Sequence, residues 1–522
     1  MFTVKRENIL IISIVGFLLY LNSFFNGFVW DDEEQVVNNP IIHSIANIPS
    51  LFAESTFNAG GAVKMSGLYY RPLMTTAYTL IYSIFGSGAF FFHFFQVVLH
   101  IASAVLLFLI LNHFLKKENL SLLLSLIFLV HPINSETVLY VANLSDILFF
   151  FFGAFAFWLL ISKDGLKYLL ISSFLLLASV LSKETGAVWW IVIVTYLFVY
   201  KRKSLKIFLP VLAVWAGIYS FLRFDVAKIF FAKHGLTLIS KMDFAQRLVN
   251  VPAIAFYYLK TYVWPINLAI NQQWVIKNIS FSQFFLPLLL DLIFLSISFY
   301  GAWYLYKKGD KYLNFYLIFL IGFLFAFAMH LQFVPLDLTV SERLFYLPQV
   351  FLLGLSGVFI LKIKNEVAVT WILVILILLL SVRTFIRTFD WRSGLTLYSH
   401  DIKISDSYDL EDNLGVEQYR IGDYEDAKIH FERSIQMAPD WWSSYNNLGA
   451  YYQFKGDYPN AEKMYLTAIK NGNYYLAIEN YASLLYKEKK YSDLKAFLTQ
   501  YLPYFPDNQT LNTLWQVVGN SQ

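Results

Sequence analysis

The chain has 522 residues, 57% hydrophobic and only 15% charged, with a formal net charge of +4 and a mean hydropathy of +0.53. Soluble domains sit nearer half apolar and a quarter charged, so this balance argues against a soluble protein and for a polytopic membrane protein. Cysteine is absent, which excludes disulfides, thiolate metal sites and cysteine nucleophiles; the small net charge says little about partners, and nucleic acid is not expected among them.

The N-terminal stretch MFTVKRENILIISIVGFLLYLNSFF has a basic start and an apolar run. No small-x-small cleavage site follows, so it reads as an uncleaved first span with Lys5 and Arg6 in the cytoplasm. Directly behind it, GFVWDDEEQVVNNP (27–40) carries four consecutive acids, Asp31 to Glu34. An acid at the centre of a span costs about 2.5–3.5 kcal/mol, so the cluster belongs at the water–lipid boundary.

Further apolar segments run at about 93–112, 119–131, 145–162, 167–182, 186–200, 207–223, 285–304, 312–331, 344–361 and 367–385. Several fall a little short of the ~20 residues a straight crossing needs. Residues 72–86 and 251–271 are also apolar but are broken by Pro, Tyr, Asn or Lys. Orientation follows from Lys116 and Lys117, Lys163 and Lys167, KRKSLK (201–206), KKGDK (307–311) and KIK (362–364), each in a short connection. All of them share the side of Lys5 and Arg6 only if 72–86 and 251–271 lie along the interface or re-enter. The expectation is an all-α polytopic membrane bundle over 1–400 with about eleven spans, N-terminus in and C-terminus out. Its outer face then receives 26–92, 131–144, 182–185, 224–284, 332–343 and all residues after about 386.

Beyond about 405 the sequence turns polar and repetitive. Leu414 and Leu448, Gly415 and Gly449, Asp423 and Asp457, Tyr424 and Tyr458, and Ala427 and Ala461 recur at a period of 34. That is the tetratricopeptide pattern, so 405–522 is expected to be an extracytoplasmic α-solenoid, with a weaker third unit through Ala482 and Tyr491. Its concave side suits an extended peptide or protein partner; a rigid spacer or dimerisation element is the alternative.

Chemistry-bearing residues gather in the outer segments. Asp31 and Asp32, flanked by Phe28 and Trp30, read either as solvated capping acids or as a carboxylate base with perturbed solvation. Arg71 in YYRPL, Lys183 in LSKETG, Arg343 in VSERLFYLP, and Arg387 and Arg392 read either as snorkelling interfacial cations or as phosphate ligands. Glu184 and Glu342 stand ready to neutralise two of them. In HPINSETVLYVANLSDIL, the spacing of His131, Glu136 and Asp146 fits no metal-ligand pattern. His100 falls at mid-span, where packing or a substrate hydrogen bond would occupy it. There is no phosphate loop, GxSxG elbow or HExxH.

A carboxylate that activates a hydroxyl beside cations that hold a phosphate fits sugar transfer from a lipid phosphate by single displacement with inversion. Mg²⁺ or Mn²⁺ between Asp31, Asp32 and the phosphate is compatible with the adjacent acids but not required by them.

FVWDDEEQVVNNP, YYRPL, HPINSETVLYVANLSDIL, LSKETG and SERLFYLP, in this order and followed by the repeats, resemble the transmembrane-and-TPR O-mannosyltransferases (the TMTC family) and their prokaryotic relatives. The resemblance implies a C-type glycosyltransferase fold and a polyprenyl-phosphate sugar, mannose for this family, as donor. It implies Asp31 as the base, with Asp32 as its partner or a metal ligand, and Arg71, Lys183 and Arg343 on the donor phosphate. His131, Glu136, Asp146 and Glu184 are then candidate substrate-binding residues. The sequence departs from the family where Asn143-Leu144 replaces a usual Gly-Arg, which removes one expected cation. Two other classes remain open, a non-catalytic scaffold that gathers envelope proteins and a lipid-linked oligosaccharide ligase or polymerase. A transporter leaves the repeats unexplained. Low Cys with abundant Lys, Ile, Asn and Phe points to a prokaryotic plasma membrane.

Overall fold

The structure is a computed structural model that describes residues 6–56, 69–230, 237–472, 475–506 and 508–519. Lys5, 57–68 of the first outer segment and 231–236 of the outer segment 224–284 lie outside the described residues. Those described are helical almost throughout, and their only β feature is a single antiparallel bridge between Gln272 and Val340.

Among the described residues, seven helices are long and apolar enough to cross a membrane: Arg6–Phe25, Ala89–Leu115, Val141–Ser162, Arg202–Val226, Phe281–Lys307, Glu342–Ile360 and Glu366–Asp390. An eighth candidate is Glu118–Val130 with Pro132–Leu139, bent by 48° at His131-Pro132, where the proline cannot continue the hydrogen-bond ladder. Leu166–Ser182, Glu184–Tyr200 and Leu313–Ala328 are shorter and apolar. These segments coincide along the chain with the eleven apolar segments read from the sequence, of which seven, or eight with the bent pair, have the length of a crossing. Pro72–Phe85 and Phe244–Val263 are not among them. The second starts at an Asp243/Gln246 capping box and contains Pro252. It buries Ile254, Ala255 and Tyr258 while exposing Phe244, Leu248 and Val263, a pattern that suits an interfacial helix.

The short basic connections gather at one end of the bundle. Lys117 pairs with Glu366 at 2.8 Å, Lys201 with Asp164 at 2.7 Å, and Lys362 with Asp310. The Tyr312 hydroxyl donates to the Leu115 carbonyl at 3.2 Å, and Asn8 reaches Glu118 at 2.7 Å. The acidic loop, the 131–144 connection, Lys183, the 329–343 segment and the repeats lie at the opposite end.

Inside the bundle, buried polar side chains bond one another and backbone carbonyls. His100 bonds the Tyr346 hydroxyl at 2.8 Å and the Leu129 carbonyl at 3.0 Å, which settles it as a packing residue. Gln96 donates to the carbonyls of Thr137 and Tyr140 at 2.7 and 2.6 Å. Such bonds keep buried polar groups from being left unsatisfied and pin the 131–144 connection against the helix Ala89–Leu115.

The tail stacks helix pairs: Tyr408–Ile421 with Tyr424–Met437, Trp442–Lys455 with Tyr458–Gly472, and Tyr475–Lys487 with Tyr491–Tyr501, closed by Gln509–Gly519. The repeated glycines are contact points. A Cβ on Gly449 would lie 2.6 Å from the Tyr465 ring, and one on Gly415 would lie 2.6 Å from the Phe431 ring. The helix Gly394–Asp401 that leads into the solenoid is tied to the bundle. The fully buried Arg387 forks onto Asp401 at 2.6 and 2.8 Å, and Asp401 also accepts from the Ile270 amide at 2.8 Å.

Candidate active site

The acidic loop is fixed by its second aspartate. Asp32 is fully buried; its Oδ1 accepts from the Ala142 amide at 2.6 Å and its Oδ2 from the Val29 amide at 3.1 Å. The carboxylate thereby ties the loop to the 131–144 connection, and Tyr78 fastens the same corner by donating to the Val141 carbonyl at 2.7 Å. Asp32 therefore serves first as an anchor, with one backbone amide on each oxygen, and no group of three or more His, Cys, Asp or Glu side chains suited to a metal occurs among the described residues.

Asp31 is left facing outward from that anchor, half-buried. Trp30 before it adopts φ +53, a left-handed conformation that bulky residues rarely tolerate. Its ring packs edge-on against Tyr398 at 5.9 Å, on the helix Gly394–Asp401 that leads into the repeats. The Tyr140 hydroxyl accepts from the Asp31 amide at 3.1 Å and also hydrogen-bonds its side chain. Burial pushes the Asp31 carboxyl up to about 6, against the pull of Tyr140, Arg343 and Arg71. A carboxylate poised near neutrality is suited to accept a proton.

Three cations cluster here, Arg71 and Arg343 acting on Asp31 and also on Lys183, and they differ in how their charge is committed. Lys183, buried, bonds Asp146 Oδ1 at 2.6 Å. Burial, reinforced by the like charges of Arg71 and Arg343, outweighs Asp146 and holds the Lys183 ammonium down at about 8. Arg343 bonds Asn143 Oδ1 at 2.9 Å and lies 3.3 Å from Glu136 Oε1. Arg71 rests on the Tyr69 ring at 4.5 Å, and Tyr69 is held by a short hydrogen bond to Asp337. Among the described residues Arg71 has no ion pair, and its buried Nε has no partner, so its charge is free for a ligand.

Glu136 is fully buried and acts as a latch. Its Oε1 accepts from Ser341 Oγ at 2.5 Å and its Oε2 from the Arg343 amide at 3.2 Å. His131 is not brought into this cluster. Its Nε2 bonds the Tyr262 carbonyl at 2.9 Å, its Nδ1 accepts from the Ile133 amide at 3.2 Å, and the ring stacks on Tyr262. With both nitrogens committed, it shapes the bend and has no atom left for substrate. Glu184 is half-buried, its Oε2 without a partner among the described residues, on the side of Tyr219.

The Asn143-Leu144 departure has a local account. Asn143 orients Arg343 and donates to the Glu136 carbonyl at 3.2 Å, and Leu144 packs in an apolar cluster with Met74 and Tyr78. Sequence reasoning missed Tyr140 and Tyr69, although both lie in stretches already singled out. It also missed Ser341, which opens the quoted SERLFYLP stretch, and Asp337 and His330, whose surroundings carry no local pattern.

The tetratricopeptide repeat family model matches residues 412–440 and 443–471. Among curated proteins, the chain is 24% identical over 447 residues to the protein O-mannosyl-transferase F38B6.6 of Caenorhabditis elegans, covering 83% of this chain and 63% of that protein. It is 24% identical over 509 residues to the protein O-mannosyl-transferase TMTC3 of Mus musculus, covering 89% of this chain and 54% of that one. The similarity therefore takes in both the membrane region and the repeats, while this chain spans little more than half the length of these relatives. A looser likeness links it to the crystal structure of ArnT from Cupriavidus metallidurans bound to undecaprenyl phosphate, at 12% identity and a TM-score of 0.44 over 98% of this chain and 88% of that one.

Proposed function

We propose that this chain is a membrane glycosyltransferase of the C-type fold that moves one sugar, mannose by analogy with its relatives, from a polyprenyl phosphate to an extracytoplasmic hydroxyl. Asp31 takes the proton from the acceptor oxygen. That oxygen attacks the anomeric carbon as the bond to the phosphate oxygen breaks, and the electron pair departs with the polyprenyl phosphate. The configuration inverts. Arg71 receives the developing phosphate charge, and Lys183 and Arg343 add positive potential behind their carboxylate partners. Residues 1–400 form the catalytic membrane unit, with the acidic loop and the repeats of 405–522 outside the plasma membrane and the basic connections in the cytoplasm.

The observation that carries this reading is a half-buried carboxylate, its ionisation pushed up toward neutrality by burial, beside a cation with no counter-ion among the described residues. Acceptor delivery by the repeats is supported by their docking on the same loop. Arg420 forks onto Glu33 at 2.6 and 2.9 Å, and the Tyr475 hydroxyl lies 3.4 Å from Glu34. The acceptor class that fits is a protein Ser or Thr.

Purified protein given polyprenyl-phosphate mannose and extracytoplasmic proteins should label them with single hexoses. Asp31→Asn should lower transfer by about 10²–10⁴-fold, the usual worth of a general base, with folding intact. Unimpaired transfer by that variant would remove Asp31 as the base. Products carrying sugar chains would favour a ligase or polymerase, and a wild-type chain that transfers nothing would favour the scaffold.

A further inference from the structure

Three buried polar atoms around Lys183 lack any protein partner among the described residues, Arg71 Nε, Asp146 Oδ2 and His330 Nδ1: Asp146 bonds Lys183 at 2.6 Å through its other oxygen, and the Lys183 charge is felt by His330 as the Arg71 charge is by Lys183. Asp146 and His330 are 2% and 5% exposed. Native folds rarely leave such atoms unpaired, because their desolvation goes uncompensated. Their chemistry narrows what fits. A phosphate is acceptor-only, so it would satisfy Arg71 and Lys183 but meet Asp146 Oδ2 lone pair to lone pair. A ligand with hydroxyls next to its phosphate satisfies donors and acceptors together.

His330 is built to stay in place and to stay neutral. It follows the helix Leu313–Ala328, its amide donating to the Phe327 carbonyl at 3.0 Å. The turn beyond it is locked by the Gln332 side chain, which donates to the carbonyls of Leu338 and Thr339 at 2.8 and 3.1 Å and accepts from the Leu336 amide at 3.0 Å. Burial, with the like charges of Lys183 and Arg343, pushes the imidazole down to about 3. A neutral imidazole can both donate to and accept from a hydroxyl.

We infer that His330 and Asp146 Oδ2 form a sugar-hydroxyl subsite beside the phosphate cations, and that His330 is what distinguishes a sugar-loaded carrier from the bare lipid phosphate. The inference rests on the donor class given above, but not on Asp31 being the base.

The test is binding alone, with full-length protein in nanodiscs and two probes, polyprenyl-phosphate mannose and bare polyprenyl phosphate. Wild type should hold the sugar-loaded lipid about tenfold or more tighter, as sites built to hydrogen-bond hydroxyls do. His330→Phe should abolish that preference while leaving the bare lipid's affinity within about twofold, and His330→Asn, which keeps a polar group, should recover part of it. Equal weakening of both lipids by His330→Phe would mark a structural residue and overturn the inference. So would a wild type that binds both alike, or a variant that weakens neither. Loss of transfer without loss of this preference in Asp31→Asn keeps the two questions separate. A wild type that binds neither lipid ends the donor reading as well.

Discussion

Replacing Glu136 by alanine tests how the two halves of the site are held together. The side chain is fully buried and serves Ser341 Oγ at 2.5 Å, the Arg343 amide at 3.2 Å and the Arg343 guanidinium at 3.3 Å. Removing one partner of a buried ion pair costs about 3–5 kcal/mol, because the other charge is left uncompensated. The Arg343 side chain is 22% exposed, so water recovers part of that, and about 3 kcal/mol is expected for Glu136→Ala. Glu136→Gln keeps the shape and an acceptor oxygen and should cost about 1–2 kcal/mol. Equilibrium unfolding in mixed micelles measures both. A double-mutant cycle with Ser341→Ala should return a coupling of about 1–2 kcal/mol. With Arg343 loosened, KM for the lipid donor should rise. If Glu136→Ala unfolds within about 1 kcal/mol of wild type and shows no coupling to Ser341, the latch does not hold the site together.

Transfer should follow a bell-shaped pH profile. It should rise as the Asp31 carboxyl ionises through about 6 and fall as Lys183 loses its proton through about 8, since the base must be deprotonated and the cation charged. Lys183→Arg, whose charge does not titrate in this range, should remove the high-pH fall and keep the low-pH rise; a rate flat from about pH 5 to 7 would eliminate Asp31 as the titrating group. The Arg420–Glu33 pair is partly exposed, 49% and 34% by side chain, so Arg420→Glu should cost the fold no more than about 1 kcal/mol. It should nonetheless speed proteolysis near residues 402–407, and the paired reversal with Glu33→Arg should restore resistance. Unchanged cleavage would mean that the pair does not hold the tail on the loop.

How far the sequence could be read varies with the range of the interaction. Helical spans and the 34-residue repeat are legible because a hydrophobic run or a periodic glycine is a statement about neighbours within a few turns. The two apolar segments set aside from crossing, 72–86 and 251–271, were legible through the Lys and Arg of the short connections, which share one side only if neither segment crosses. The site was legible only as a set of residue types in outer segments. Composition could not say that Asp32 is an anchor while Asp31 faces the cations, since the two are identical side chains in adjacent positions. His131 and Glu136 looked alike as candidates five residues apart. One turned out to brace a helix bend and the other to grip Ser341 and Arg343.

By itself the sequence determined a helical membrane bundle with a polar solenoid behind it, and which connections carry positive charge, because apolar periodicity and charge placement act locally along the chain. Tertiary structure alone decided which cation stays free, which acid is spent on backbone amides, and that the repeats sit on the acidic loop. Asp31 meets Tyr140 across 109 positions, Asp32 meets Ala142 across 110, and Ser341 meets Glu136 across 205. Burial and hydrogen-bond partners at such separations are properties of the folded packing, and they set the ionisation and the reach of each side chain.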